Sequence, residues 1–335
     1  MKVKTSEHLW IIDPWNTLDH PCDSTLRFME AGMEEAAKLG VSQYGCDVKS
    51  IRLVDTPQGP RVALDAKKLI SVRPDRTANS FEWGPVEMRS PRDFKNLYYR
   101  TDPPVDLAYL HPLQLLGLEV GYSKKNQWVN PLEVLLLQNE KMEASCLGNL
   151  MAPSLVSSQW EYLLPFGRKL GRTVLKPLHE AQSHGIELLD WRTPEGVENA
   201  KGKLASATQQ FQTPVILQIF LEAIAEGETR LWFLDGKLLA HVKKVPAIGD
   251  FRVNMDQRGP QGSRLALSTL TENEKKTVKQ ISRHLRTRKI RLAAVDLIEN
   301  FITDFNFTSP GLIPLMESLL EVNLAKPIVR ALFSS

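Results

Sequence analysis

Asp296, Asp304 and Asn306 stand among apolar residues in the stretch AAVDLIENFITDFNFTSPG (293–311). The segments RLAAVDLI and FITDFNF read as antiparallel strands joined by a turn at Glu299 and Asn300. Side chains alternate along a strand, so Asp304 and Asn306 share a face and Asp296 can meet them from the neighbouring strand. Three oxygen donors on one face suit a hard cation such as Mg2+, which takes one or two carboxylates and completes its octahedron with phosphate and water. A solvent-facing polar stripe explains Asp304 and Asn306 equally well, but Asp296 less well because its flanks are apolar. If the two carboxylates face each other without a metal, repulsion should raise the pKa of at least one. On the same argument, Asp296→Asn should keep the fold.

A second set of residues is cationic. Lys176 lies inside the short apolar run TVLKPL, where a charge is costly without an anionic partner. Either its ammonium snorkels to the strand end or it meets a phosphate. Lys141 in NEKMEAS and Arg230 in GETRLWFLDG are further candidate cations.

These residues need elements to hold them. HLWIID reads as a first buried strand stopped by Pro14. DSTLRFMEAGMEEAAKLG follows as a helix, capped by Asp23 or Ser24 and closed by Gly40. A hairpin turns around residues 57–59, the strand of FKNLYYRTDPPVD follows, and LAYLHPLQLLGLEVG is a helix with Pro112 in its first turn. This alternation predicts an α/β unit with a largely parallel sheet. Further on, PLEVLLLQNEKMEASCLGNL is predicted as one helix opened by Pro131. PSLVSS and RTVLKPL are short strands with a helix between them. Asp235 and Gly236 join two strands of a hairpin. Thr271 and Glu274 form a capping box before another helix. The expected units are 1–129, 130–216 and 217–335.

Composition excludes several classes. The 335 residues are 42% hydrophobic and 24% charged with a net charge of +3, ordinary for a globular protein. The one dense basic run, RHLRTRKIR (283–291), lacks interleaved aromatics and reads as a solvated helix end, so no nucleic-acid partner is expected. No apolar stretch reaches the length of a membrane span, and the N-terminus does not read as a signal peptide. Three sparse cysteines without metal spacing fit reduced thiols in a cytoplasm.

Taken in order along the chain, these segments resemble the bacterial glutathione synthetases of the ATP-grasp superfamily. IIDPWNTLDHPCDSTLRFMEAG, YYRTDPPVDLAYLHPLQLLG and VNPLEVLLLQNEKMEAS are similar to the family's opening strand, its Arg-Lys-Asp-Pro-Pro segment and its Asn-Glu-Lys helix. VLKPL, LQIFLEAIAEGETRLWFLDGKLLA and AAVDLIENFITDFNFTSPG complete the set. The resemblance implies an α/β ATP-grasp fold with an N-terminal Rossmann-like domain, ATP and Mg2+ as cofactors, and homo-oligomers. It also implies roles. Lys141 and Lys176 would contact phosphates, and Gln218, Ile219, Phe220 and Leu221 would form the hinge strand beside the adenine. Asp296, Asp304 and Asn306 would ligate Mg2+, and Arg230 would steady the transferred phosphate. Arg100, Asn254, Arg258 and Ser309 would hold a substrate carboxylate. The implied reaction joins a carboxylate to an amine through an acylphosphate; in the family these are γ-glutamylcysteine and glycine.

The chain also departs from the family. The loop after LKPL is HEAQSHGIELLDW, with Gly185 as its single glycine where the family is glycine-rich. It reads first as a loop that no longer covers phosphate, and second as one in which His179, Gln182, Ser183 and His184 replace backbone donors. Asp304 stands where the family has glutamate, and Val253–Asn254 replaces a Gly-Asn run. Two other readings therefore stand beside glutathione synthesis: an ATP-grasp ligase for another amino acid or peptide, and a nucleotide-binding homologue without catalysis.

Overall fold

The computed structural model describes residues 6–121, 127–255 and 262–334. Its first sheet collects β1 (Ser6–Ile12), β2 (Val41–Asp47), β3 (Arg52–Val54), β4 (Arg61–Val72), β5 (Phe81–Arg89), β6 (Asn96–Tyr99) and β7 (Gln127–Val129). Helices α1 (Ser24–Leu39) and α2 (Leu107–Val120) belong with it. Strand order is β3-β4-β2-β1-β6-β7, with β5 on β4. β2, β1, β6 and β7 run parallel, whereas β3, β4 and β5 pair antiparallel with one another and with β2. The sheet is thus half parallel, not largely so. The turn at 57–59 returns the chain directly, whereas a parallel neighbour needs a helical crossover.

Asp23 caps α1 by accepting the Leu26 N–H at 2.8 Å, and Gly40 ends the helix at φ 64°. Pro112 lies in the second turn of α2 rather than its first. The helix predicted from Pro131 is broken. α3 (Leu132–Leu137) ends after six residues, and the chain turns before a 3-10 segment over Glu143–Leu150. The reason is Asn139. Its side chain accepts the Lys141 N–H at 3.1 Å and donates to the Leu178 carbonyl at 2.8 Å, an alternative to helical bonding.

The second sheet, in order β10-β9-β11-β8, comprises β8 (Ser154–Ser157), β9 (Arg172–Pro177), β10 (Glu187–Asp190) and β11 (Val215–Ile219). With α4 (Trp160–Leu170) and α5 (Pro194–Ala207) it encloses its own core of Leu163, Leu175, Trp191, Leu204 and Leu217. The third sheet, in order β14-β13-β12-β15-β16, comprises β12 (Glu228–Leu234), β13 (Lys237–Val245), β14 (Arg264–Ala266), β15 (Leu292–Ile298) and β16 (Phe301–Asn306). Helix α6 (Glu272–Thr287) starts at the predicted capping box of Thr271 and Glu274. Among the described residues no helix is long and apolar enough to cross a membrane. The basic run at 283–291 turns partly inward: Arg286 donates to the Gly236 carbonyl at 3.0 Å, and Arg291 pairs with Asp235 at 2.7 Å.

The last helices, α7 (Ile313–Leu320) and α8 (Ala325–Phe333), return to the first unit and lie on α1. Arg27 bonds Glu317 at 2.6 Å and Arg330 bonds Glu35 at 2.7 Å. Trp10, Phe28, Trp232, Ile328 and Leu332 share one core across the first and third sheets. Asn130 joins the same two regions. Its amide donates to the carbonyls of Leu292 at 2.7 Å and Phe307 at 2.6 Å, and its oxygen accepts the N–H groups of Arg291 and Leu292 at 2.8 and 2.9 Å. Each buried backbone group left unpaired costs about 1–3 kcal/mol. Asn130→Ala should therefore lower unfolding stability by at least about 3 kcal/mol, read as a lower urea midpoint.

Candidate functional site

The three sheets meet around an open cavity of about 810 Å3. Its floor is one face of the third sheet. Register brings Lys244 opposite Glu228, Arg230 opposite Asp296, and Asp296 opposite Asp304. Because side chains alternate, these charges and Asn306 all face the cavity while Leu231, Val295 and Phe305 enter the core. The predicted meeting of Asp296, Asp304 and Asn306 is present, and the Asn306 amide lies 3.4 Å from the Asp296 carboxylate.

Their electrostatics differ from expectation. Asp296 is 2% exposed and accepts from Arg230 at 2.9 and 2.6 Å and from Lys244 at 2.9 Å. Burial alone would raise its pKa, but the Arg230 guanidinium and the Lys244 ammonium hold it well below the usual carboxylate range. The expected carboxylate repulsion is thus cancelled at Asp296 by two cations. The raised acid is instead Glu140, pushed up to about 7 by burial and by Asp304. One Glu140 oxygen accepts the N–H groups of Phe307 and Thr308 and the Thr308 hydroxyl at 2.6, 2.8 and 2.9 Å.

Whether this face fits a divalent cation turns on Asp304. Its Oδ1 is buried without a hydrogen-bond partner among the described residues, so an oxygen donor is left for a ligand. Asp296 and Asn306 are beside it, although Asp296 is already held by two cations. The donor set fits Mg2+ with Asp304 as its principal carboxylate.

Both predicted phosphate lysines reach the cavity. Lys176 donates to the Gln218 side chain and the Thr303 carbonyl, each at 3.0 Å, and burial pulls its pKa down. Lys141 donates to the Glu180 carbonyl. Gln218, Ile219, Phe220 and Leu221 line the same space, with the Arg172 guanidinium 4.3 Å above the Phe220 ring. The glycine-poor loop does line the cavity, through residues 180–184. Ser183 donates to the Val253 carbonyl at 3.2 Å, which joins this loop to the one at 250–255. His179 borders a different groove, near Pro104 and Leu110, so it is no substitute donor. Arg100 and Ser309 line the cavity. Asn254 does not, although Arg252, Val253 and Met255 do; its N–H donates to the Ser263 hydroxyl at 3.1 Å. Arg258 lies outside the described residues.

Sequence reasoning missed Lys244, Glu228 and Glu140. Glu228 stands two residues before Arg230, and alternation along a strand would have placed it on the same face. Lys244 had no local signal, because only the hairpin register sets it opposite Glu228. Glu140 was hidden inside the supposed helix.

Residues 7–130 match the prokaryotic glutathione synthetase N-terminal domain, and residues 140–321 match the prokaryotic glutathione synthetase ATP-grasp domain. The chain belongs to the prokaryotic glutathione synthetase family. A glutathione synthetase of Prochlorococcus marinus is 30% identical over 327 residues, covering 98% of each chain. That of Thermosynechococcus vestitus is 28% identical over 333 residues, covering 97% of this chain and 99% of its own. The crystal structure of a D-cycloserine synthetase has the same fold at a TM-score of 0.61 and 14% identity, covering 97% of this chain and 98% of that one. This family member is an ATP-dependent carboxylate–amine ligase resembling glutathione synthetase.

Two outcomes follow from the electrostatics. Asp296→Asn, expected from sequence to keep the fold, removes the charged partner of two buried cations. It should lower stability by about 3 kcal/mol or more in urea unfolding. The folded chain keeps the Glu140 proton to about pH 7, while an open glutamate loses it near 4.5. Between those values the folded state holds more protons than the unfolded state, so stability falls as pH rises. Glu140→Gln keeps the accepting oxygen and should reduce that slope in metal-free unfolding curves at pH 4.5, 6 and 7.

Proposed function

We propose that this ligase condenses γ-glutamylcysteine with glycine at the expense of ATP in the cytoplasm, as a homo-oligomer. The observation that carries the reading is that Lys141, Lys176, Arg230, Asp296, Asp304 and Asn306 all line one cavity. Cations and oxygen donors around one space are what a metal–polyphosphate needs. In this reading residues 1–129 hold the carboxylate donor, 130–216 form the lid and 217–335 carry the metal. ATP lies against Gln218–Leu221, with its phosphates reached by the two lysines. Asp304, with Asp296 and Asn306 beside it, would hold Mg2+, which would supply neutralising charge to the phosphates.

The donor carboxylate attacks the γ-phosphorus, releasing ADP and forming an acylphosphate. The amine of the acceptor attacks that carbonyl and loses a proton, and inorganic phosphate leaves as the C–N bond forms. Side chains do little covalent work. Lys176 and Arg230 stabilise charge that moves between oxygens, and the surrounding loops position the reactants and exclude water. Residues 180–184 support this reading, since a loop that lines the site can close it by side chains without a glycine run.

The test is phosphate release with ATP, Mg2+, γ-glutamylcysteine and glycine, against a panel of other acids and amines. Release with another pair instead would reassign the substrates, and release with none would favour a nucleotide-binding homologue without catalysis. Lys176→Ala should weaken ATP binding about tenfold or more in calorimetry, the worth of one charge-assisted hydrogen bond. Unchanged affinity would remove Lys176 from the phosphate site.

A further inference from the structure

Helix α2 is a surface helix without a charged face. Over Leu107–Val120 it carries one charged residue, Glu119, whereas α1 and α6 carry several each. That one charge turns inward: the Glu119 carboxylate pairs with Arg92 at 2.5 Å and accepts the Val62 N–H at 3.2 Å. Tyr109, Leu113, Leu116 and Val120 enter the core against the first sheet. On the opposite side Leu107, His111, Gln114 and Leu118 follow at intervals of four, three and four residues, which is one stripe of a helix. All four are exposed, Leu107 by 65% and Leu118 by 80%. Beside them α3 packs on α2, with Leu132 against Gly117, and ends on Leu137, which is 79% exposed. A helix that faces water sets charged residues opposite its core side. A charge-free stripe with a leucine at each end is instead suited to burial against another protein surface.

The order of the stripe says what surface fits it. Its spacing reads the same in both directions along the helix. Two copies of α2 laid antiparallel therefore set Leu107 of one on Leu118 of the other, and His111 on Gln114. Leucine meets leucine, and an imidazole with one donor and one acceptor meets an amide with both. No charge is buried, because the stripe has none. A two-fold contact requires this kind of self-complementarity, since the same patch serves both copies. The antiparallel order also opposes the two helix dipoles, whereas a parallel pair would align them and set imidazole on imidazole. A standard interface takes about 800 Å2 from each partner, more than a helix about 21 Å long supplies by itself. The surface does continue. At its Leu107 end α2 borders a groove of about 700 Å3 between the helix start and the second sheet, lined in part by Pro104, Leu110, Pro177 and Pro214. The Val105 N–H donates to the His179 carbonyl at 2.9 Å beside it. In the antiparallel order the Leu118 end of the second copy's helix lies at the mouth of this groove.

We infer that the outer face of α2 is a two-fold contact between copies of this chain, with Leu107 of each copy on Leu118 of the other. The inference rests on the homo-oligomer of the reading above and names its surface; it does not depend on the substrates or the chemistry. A second copy held there touches the first unit through α2 and reaches the groove beside Pro177 and His179. Those residues lead into the loop over 180–184 that lines the cavity.

The test is the mass of the intact protein in sedimentation velocity across micromolar concentrations. Wild type should run as a dimer or a multiple of dimers. Leu118→Glu sets an unpaired carboxylate in the contact and should weaken that dimerisation about a hundredfold or more. Leu107→Lys should do the same. The double variant Leu107→Lys/Leu118→Glu brings opposite charges together only in the antiparallel order, so it should recover dimers, and less so at high salt. Both side chains are exposed within one copy, so each variant should keep the wild-type circular dichroism. A monomeric wild type would overturn the inference and the homo-oligomer together. An oligomeric wild type whose mass ignores both single variants would overturn the inference alone, leaving the oligomer to another surface. Single variants that dissociate without recovery in the double variant would overturn the antiparallel pairing. Phosphate release by the same samples reports on the ligase reading separately.

Discussion

Burial of the Asp296 carboxylate between Arg230 and Lys244 is the constraint on which the site depends. Taking charges from water costs several kcal/mol each, and only close, fully hydrogen-bonded geometry offsets it. The partners come from β12, β13 and β15, so that geometry exists only while three strands keep register. A one-residue slip would turn every charge into the core. The same register sets Asp304 opposite Asp296. Since Asp296 is already matched by two cations, Asp304 remains the carboxylate with an oxygen to give. The sheet thus stabilises itself with one aspartate and offers the other.

The sheets around this face divide into two groups by their cores. The first and third sheets are joined by a continuous core, by Asn130 and by ion pairs from α1 to α7 and α8. The second sheet has a separate core. Its bonds to its surroundings include those of Lys176 to Thr303, Ser183 to Val253, Val105 to His179, Asn139 to Leu178 and Lys141 to Glu180. Two of these involve the lysines proposed to meet phosphate. An ammonium has three donors, so part of what seats this unit comes from groups that phosphate would engage in the proposed reading. If the two lysines hold phosphate as proposed, nucleotide binding and the position of the second sheet are coupled through them.

What was legible in the sequence followed local rules. Asp23 and Gly40 bound α1, Thr271 and Glu274 open α6, and Asp235–Gly236 turns the hairpin, because caps and turns need specific residues at fixed offsets. The Asp-Asp-Asn face was legible because strand alternation is a local property. What was not legible was set at a distance. Apolar periodicity through PLEVLLL carried the helix reading past Asn139, whose competing bond goes to Leu178, 39 residues further along the chain. The state of Asp296 could not be read from two carboxylates alone, since its cations arrive from strands far earlier in the chain. Asn254 was placed by similarity to a motif this chain has altered, and its neighbours face the cavity instead.

The glycine-poor loop shows how a fold can keep a backbone path after losing the residues that make it easy. Gln182 and Ser183 have φ of 53° and 63°, in the left-handed region, with Gly185 at 66°. For a residue with a Cβ that conformation costs about 1–2 kcal/mol, so something must offset it at each position. At Ser183 the hydroxyl bonds the Val253 carbonyl, and just beyond it the His184 N–H bonds the Ala181 carbonyl. A glycine there would remove the strain and also the side-chain contact with the 250–255 loop. The substitution therefore exchanges a loop that closes by backbone freedom for one whose closed path is set in advance by its neighbour. That neighbour is the segment in which the family's Gly-Asn pair has become Val253–Asn254. The two departures from the family pattern touch each other, so they are best understood as one change in how the site is covered.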